Sequence, residues 1–183
     1  MRTISSISDL GGEHESAVEQ EKRVQAGRIE AIRFLGLARK PSGRVAGRLR
    51  EAGFDEDEIK AILKSLIEDD YLDDHALARR QAARRRGRQA ESRRALACRL
   101  AQNGLTAEAV EAALADHPDD FTLAGEALQT RFQSVVSNWS ELDPRERQRE
   151  KGRIARFLAG RGFGGDSAMA ALRDLLSGID SYD

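Results

Sequence analysis

The sequence is short of the residues that staple, kink or catalyse. Its single cysteine, Cys98, excludes an internal disulfide and suits a reducing compartment. Only three prolines occur, so little interrupts helix formation. The three histidines, His14, His75 and His117, lie far apart, and with one cysteine they give no zinc-ligand spacing. No Ser/His or Cys/His pairing is legible, so neither catalysis, a bound metal nor a cofactor is expected. Aromatics make up 5% of the chain, which leaves Leu, Ile, Val and Ala to build the core. No run approaches the roughly 18 apolar residues of a membrane-spanning helix, and the start lacks the apolar stretch of a signal peptide. These absences point to a soluble, cytoplasmic chain without a membrane partner.

Charge is what the chain has in abundance. Asp, Glu, Lys and Arg form 33% of its 183 residues, yet the net charge is only -1. The signs are sorted into blocks. Residues 51–74 carry ten acids against Lys60 and Lys64, and residues 75–104 carry nine arginines against Glu91. Residues 105–130 then hold six acids and no base, while residues 145–161 hold seven bases against Glu146 and Glu150. A uniformly basic chain would suit any polyanion, whereas alternating blocks suit a surface that itself alternates.

Three segments share a register: "RVAGRLREAGFDEDEIKAIL", "ALACRLAQNGLTAEAVEAAL" and "RIARFLAGRGFGGDSAMAAL" place Gly53, Gly104 and Gly162 at one position. Each glycine follows an amphipathic stretch and suits the left-handed residue that closes a helix. The apolar pairs flanking them, Leu49 with Phe54, Leu100 with Leu105 and Leu158 with Phe163, should then be buried. Asp55 with Glu58 reads as a capping box, Thr106 as a cap, and Asp143-Pro144 as another helix start. "GRGFGG" (160–165) has nucleotide-loop spacing, but it follows a basic amphipathic helix, so Gly162 is a helix stop.

Helices are expected over 28–39, 42–52 and 55–68, then 73–87, 91–103 and 106–116, then 119–134, 144–161 and 166–177. The fold class is all-α, in three tandem three-helix repeats over residues 28–72, 73–117 and 118–177. Residues 1–27 read as a polar arm or a frayed helix and 178–183 as a tail. Cys98, among Leu96, Ala97 and Leu100, reads as a small core residue.

Tyr71, Leu72, Asp73 and Asp74, followed by a basic stretch, then Gly104, then Phe157, Leu158, Arg161, Gly162 and Phe163, resemble the RecX family, regulators of the bacterial RecA recombinase. The likeness covers about residues 28–177. It implies an elongated, curved, all-helical molecule that binds the RecA–DNA filament, inhibits its ATPase and strand-exchange activities, and acts in recombination, DNA repair and the SOS response. Leu77 and Gln81 stand where the family usually has aromatics. Among the residues themselves, Arg79, Arg80, Arg84, Arg85, Arg86, Arg88, Arg93 and Arg94 are the candidates for contacting a partner or DNA. Asp73 and Asp74 fit a helix start better than a metal site. The alternative reading is a helical protein that binds nucleic acid weakly and without a recombinase.

Overall fold

The structure is a computed structural model describing the backbone of residues 8–180 and the side chains of residues 18–177. Among these residues there are nine α-helices and no strand. They are α1 (Ser8–Leu35), α2 (Ser42–Glu51), α3 (Glu56–Glu68), α4 (Asp74–Ala83), α5 (Arg93–Gln102), α6 (Ala107–Ala115), α7 (Asp120–Ser137), α8 (Pro144–Gly160) and α9 (Gly165–Asp180). The chain divides into two compact units, the first ending at Asp74 and the second starting at His75.

In the first unit α1, α2 and α3 pack on one another around Ala31, Leu35, Val45, Leu49, Ile59, Ile62, Leu66 and Leu72. The helix expected at residue 28 begins at Ser8 instead, so of the two readings of 1–27, arm or frayed helix, a helix is what the backbone takes from Ser8 on; residues 1–7 lie outside the described ones. Tertiary contact accounts for the difference. Val24 packs on the core, and a Cβ at the buried Gly27 would overlap Cδ1 of Ile62. Arg23 binds the buried carboxylate of Glu58, its Nη2 donating to Oε2 at 3.0 Å. Low local propensity is overridden by a neighbouring helix.

The second unit has two apolar clusters. Leu77, Ala78 and Ala82 of α4 meet Leu96 and Leu100 of α5 and Ala109, Val110 and Ala113 of α6. Further along, Leu123, Leu128 and Phe132 of α7 meet Ile154 and Leu158 of α8, Phe163, and Ala171 and Leu172 of α9. The three clusters are compatible with three helical repeats. The C-terminal helix continues past 177 to Asp180, and residues 181–183 lie outside the described part.

The three glycine caps form as expected. Gly53, Gly104 and Gly162 have φ of 85°, 93° and 80°. The following N–H closes each turn: Phe54 on the Leu49 carbonyl at 3.2 Å, Leu105 on Leu100 at 3.3 Å, Phe163 on Leu158 at 3.1 Å. Five of the six apolar partners are buried. Phe54 is only half-buried, and the Arg23 guanidinium lies over its ring at 5.5 Å. Both capping boxes, Asp55/Glu58 and Asp143/Glu146, are formed, and Thr106 caps α6.

A fourth cap of the same kind uses no glycine. Tyr71 N–H reaches the Leu66 carbonyl at 2.9 Å to close α3, with Asp70 in the left-handed region at φ 59°. A side chain there is strained by roughly 1 kcal/mol. Asp70→Gly is therefore expected to stabilise the protein by up to about 1 kcal/mol, less the added freedom of the unfolded chain. A urea midpoint equal to or below that of the parent would contradict it.

Candidate partner interface

The helix expected over 73–87 stops at Ala83, which moves the later arginines onto a turn. Four residues on, Gly87 takes φ 54° and opens a short 3₁₀ turn, Gly87–Gln89. What holds this turn is distant in sequence. Glu126 of α7 accepts from Arg86 Nε at 2.9 Å and from the Gly87 N–H at 3.1 Å. Two charge-assisted bonds to a fixed carboxylate outweigh the helix propensity of arginine. Arg86 in turn holds the Glu126 carboxyl below the usual carboxylate range.

The arginine cluster thus divides. Arg86 belongs to Glu126. Arg85 lies 3.7 Å from the buried carboxylate of Glu91, which Arg99 also grips from Nε at 2.8 Å and Nη2 at 2.8 Å. Arg93 donates from Nη1 to the His117 carbonyl at 2.7 Å, and its backbone N–H binds Asp120 at 2.7 Å. Arg79, Arg80, Arg84, Arg88 and Arg94 are exposed and form no side-chain hydrogen bond or ion pair with any described residue. On α4 this follows from the apolar face: Leu77, Ala78 and Ala82 turn inward, so Arg79 and Arg80 point to solvent.

Most of the sequence motif closes helices. Leu72 is buried in the first unit's core and Tyr71 is exposed. Asp73 is exposed just before α4, which Asp74 begins. The Asp74 carboxylate is buried and accepts from the Ser42 N–H at 2.9 Å and the Ser42 hydroxyl at 2.6 Å. It therefore caps α2, across a sequence gap no local rule would bridge. Leu158 and Phe163 are core, Phe157 is half-buried, and Arg161 accepts the Ser92 N–H on its carbonyl at 3.0 Å. Leu77 is core, and Gln81 accepts from Asn103 Nδ2 at 3.0 Å.

Cys98 corrects the sequence reading: it is exposed. Leu96 and Leu100 point into the core, and a residue midway between them on a helix faces away. Arg131 of α7 was missed altogether. It is a single base after a run of acids, and only packing shows that it sits over Phe157, 5.2 Å from the ring centroid.

His117 is buried beside Arg86, Arg93 and Glu126, and its Nε2 has no hydrogen-bond partner. Burial, reinforced by the two arginines, pushes its pKa down; Glu126 opposes this. A folded-state value below the ordinary one, about 6.5, means the unfolded chain binds the proton more readily. Stability is thus full above about pH 6.5 and declines as pH falls below it, by at most about 1.4 kcal/mol per pH unit. Carboxylates held low, such as Glu126 and Asp119, add losses of the same sign only at lower pH. Urea denaturation near pH 7.5 and 5.5 should show the decline, and His117→Leu should flatten it. An unchanged slope in that variant would assign the dependence elsewhere.

Among the described residues no helix is long and apolar enough to cross a membrane, and no group of His, Cys, Asp and Glu is placed to hold a metal ion. No protein-family model matches the chain. The regulatory protein RecX of Mycobacterium sp. strain KMS is 26% identical over 178 residues, covering 94% of this chain and 92% of that one. The regulatory protein RecX of Chromohalobacter salexigens is 33% identical over 137 residues, 74% of this chain and 84% of that protein. The crystal structure of RecX from Lactobacillus salivarius superposes with a TM-score of 0.66 at 19% identity, over 85% of this chain and 97% of that one. A second RecX crystal structure gives 0.62 at 15% identity, over 94% and 81%. The solved structures establish a shared all-helical fold, and the sequence relatives carry the likeness through nearly the whole chain: it belongs to the RecX family of regulatory proteins.

Proposed function

We propose that the protein binds the filament that its cognate RecA recombinase forms on DNA and slows the filament's ATP hydrolysis and strand exchange, with no catalysis of its own. The observation that carries this reading is the set of five exposed arginines in the second unit, Arg79, Arg80, Arg84, Arg88 and Arg94, which no described carboxylate neutralises. Their neighbours Arg85, Arg86 and Arg93 are already engaged. Uncompensated charge on an ordered scaffold is what an anionic partner surface requires. A recombinase filament offers both DNA phosphate and protein carboxylates, and the acidic first unit lowers affinity for bare DNA. The test compares binding to DNA alone, recombinase alone and the assembled filament, with ATP hydrolysis followed in parallel. The filament should bind most tightly. Equal binding to bare DNA would favour a nucleic-acid-binding protein acting without a recombinase.

A further inference from the structure

Apart from the arginines of residues 79–94, the second unit gathers basic side chains around two aromatic rings. Phe132 of α7 and Phe157 of α8 meet edge to face, centroids 5.4 Å apart at 72°. Arg131 and Arg161 both rest against Phe157, their guanidinium carbons 5.2 Å and 5.3 Å from its centroid. Arg153 lies 5.2 Å from the centroid of Phe132 but is bound to Glu150 at 3.1 Å. Arg131 and Arg161 have no such counter-charge. With the described residues, Arg131 forms no side-chain hydrogen bond or ion pair, and the side chain of Arg161 makes one long bond, to the Ala90 carbonyl at 3.4 Å.

A ring face attracts a guanidinium but accepts none of the N–H donors in its plane. Two such groups on one ring repel each other, and apart from the long bond of Arg161 to Ala90 their donors stay free. They are also held in place, Arg131 by the ring and Arg161 by the ring and Ala90, so little side-chain freedom remains to be lost on binding. We propose that Arg131 and Arg161, mounted on Phe157, form a phosphate-binding site for the backbone of single-stranded DNA. The surroundings favour a strand over an isolated anion. Thr130, next to Arg131, lies against the turn at Gly87, where an added Cβ would come within 3.5 Å of its hydroxyl. That turn carries Arg84 and Arg88 on either side. Exposed, unpaired arginines therefore continue from the turn onto α7, and a flexible chain with one charge per nucleotide can follow them.

The proposal goes beyond the regulatory reading and does not depend on it, because its test contains no recombinase. Fluorescence anisotropy of a labelled oligothymidylate is measured with the full chain over a range of salt. For Arg131→Gln, the log–log salt slope should fall by about 0.7, which at about 50 mM salt corresponds to roughly eightfold weaker binding. Arg131→Lys should retain the slope. Arg145→Gln removes the same charge at the far end of α8, roughly 18 Å along its axis, and should also retain it. An Arg131→Gln slope equal to the parent's, or matched by Arg145→Gln, would overturn the site. So would absence of oligothymidylate binding at low salt, or equal competition by poly-glutamate, which would mark an acidic protein as the partner.

Discussion

Changing Arg80, Arg84 and Arg88 together to glutamate should raise the concentration needed to half-inhibit ATP hydrolysis by cognate RecA filaments at least tenfold. All three side chains are exposed and bind no described residue, so the reversal breaks no internal bond. Surface changes of this kind usually alter stability by less than about 0.5 kcal/mol each. Against an anionic surface, each reversal replaces attraction with repulsion. A tenfold loss needs only about 1.4 kcal/mol in total, well within the effect of like charges brought face to face. The choice of residues matters. Reversing Arg86 would leave Glu126 without its main partner and release the turn that carries Arg84 and Arg88, so lost activity there would report folding. Circular dichroism must show the triple variant folded, and inhibition must be read at several salt concentrations, since screening alone weakens charged contacts. If the variant inhibits as well as the parent, these arginines are not the contact. If the parent protein leaves filaments unaffected at saturation, the regulatory reading through RecA is wrong.

Gly162→Ala is expected to cost about 3 kcal/mol, against about 1 kcal/mol for Gly53→Ala. Both glycines close a helix at similar positive φ, 80° and 85°, and an L side chain is strained there by roughly 1 kcal/mol. Their surroundings differ. Around Gly53 nothing lies within 4 Å of an added Cβ, whereas at Gly162 it would meet Ser92 Oγ at 2.8 Å and Ala95 Cβ at 2.9 Å. Ser92 cannot simply turn away. It is buried, and its hydroxyl caps α5 by accepting from the Ala95 N–H at 3.1 Å. Overpacking adds about 1–3 kcal/mol, and losing the cap adds about 1 kcal/mol more if the hydroxyl is displaced. The two glycines lie in different units, so Gly162→Ala should lower the melting temperature of the second unit by roughly 13 °C and Gly53→Ala that of the first by roughly 6 °C. Far-UV circular dichroism follows both variants, and the fluorescence of Trp139, the sole tryptophan, which is buried in the second unit, follows Gly162→Ala separately. Equal costs would mean that the end of α8 does not press on the start of α5.

Local chemistry was enough for the helical class, the three glycine caps, the capping boxes at Asp55 and Asp143 and the cap at Thr106. Each rests on hydrogen bonds that span at most five residues, from Phe54 back to Leu49 for example, so the residues that make the bond are read together. The same reasoning placed five of the six apolar cap partners in the core. It also reached the RecX resemblance, because the Tyr71–Asp74 and Phe157–Phe163 motifs are contiguous in the chain.

Tertiary structure alone decided which charges are free. Every arginine between 79 and 94 looks alike in sequence, and their fates depend on Glu91, Glu126 and the His117 carbonyl. Arg86 and Glu126 are 40 residues apart, a separation over which no periodicity carries information. Asp74 caps a helix 32 residues upstream, and Arg131 owes its position to a ring on another helix. The early start of α1 belongs to the same class, whereas the exposure of Cys98 follows from its own helix, midway between the buried Leu96 and Leu100. A side chain's face on a helix follows from its own neighbours, but its partner across a packed interface follows from how helices distant in sequence come together, and only folding supplies that.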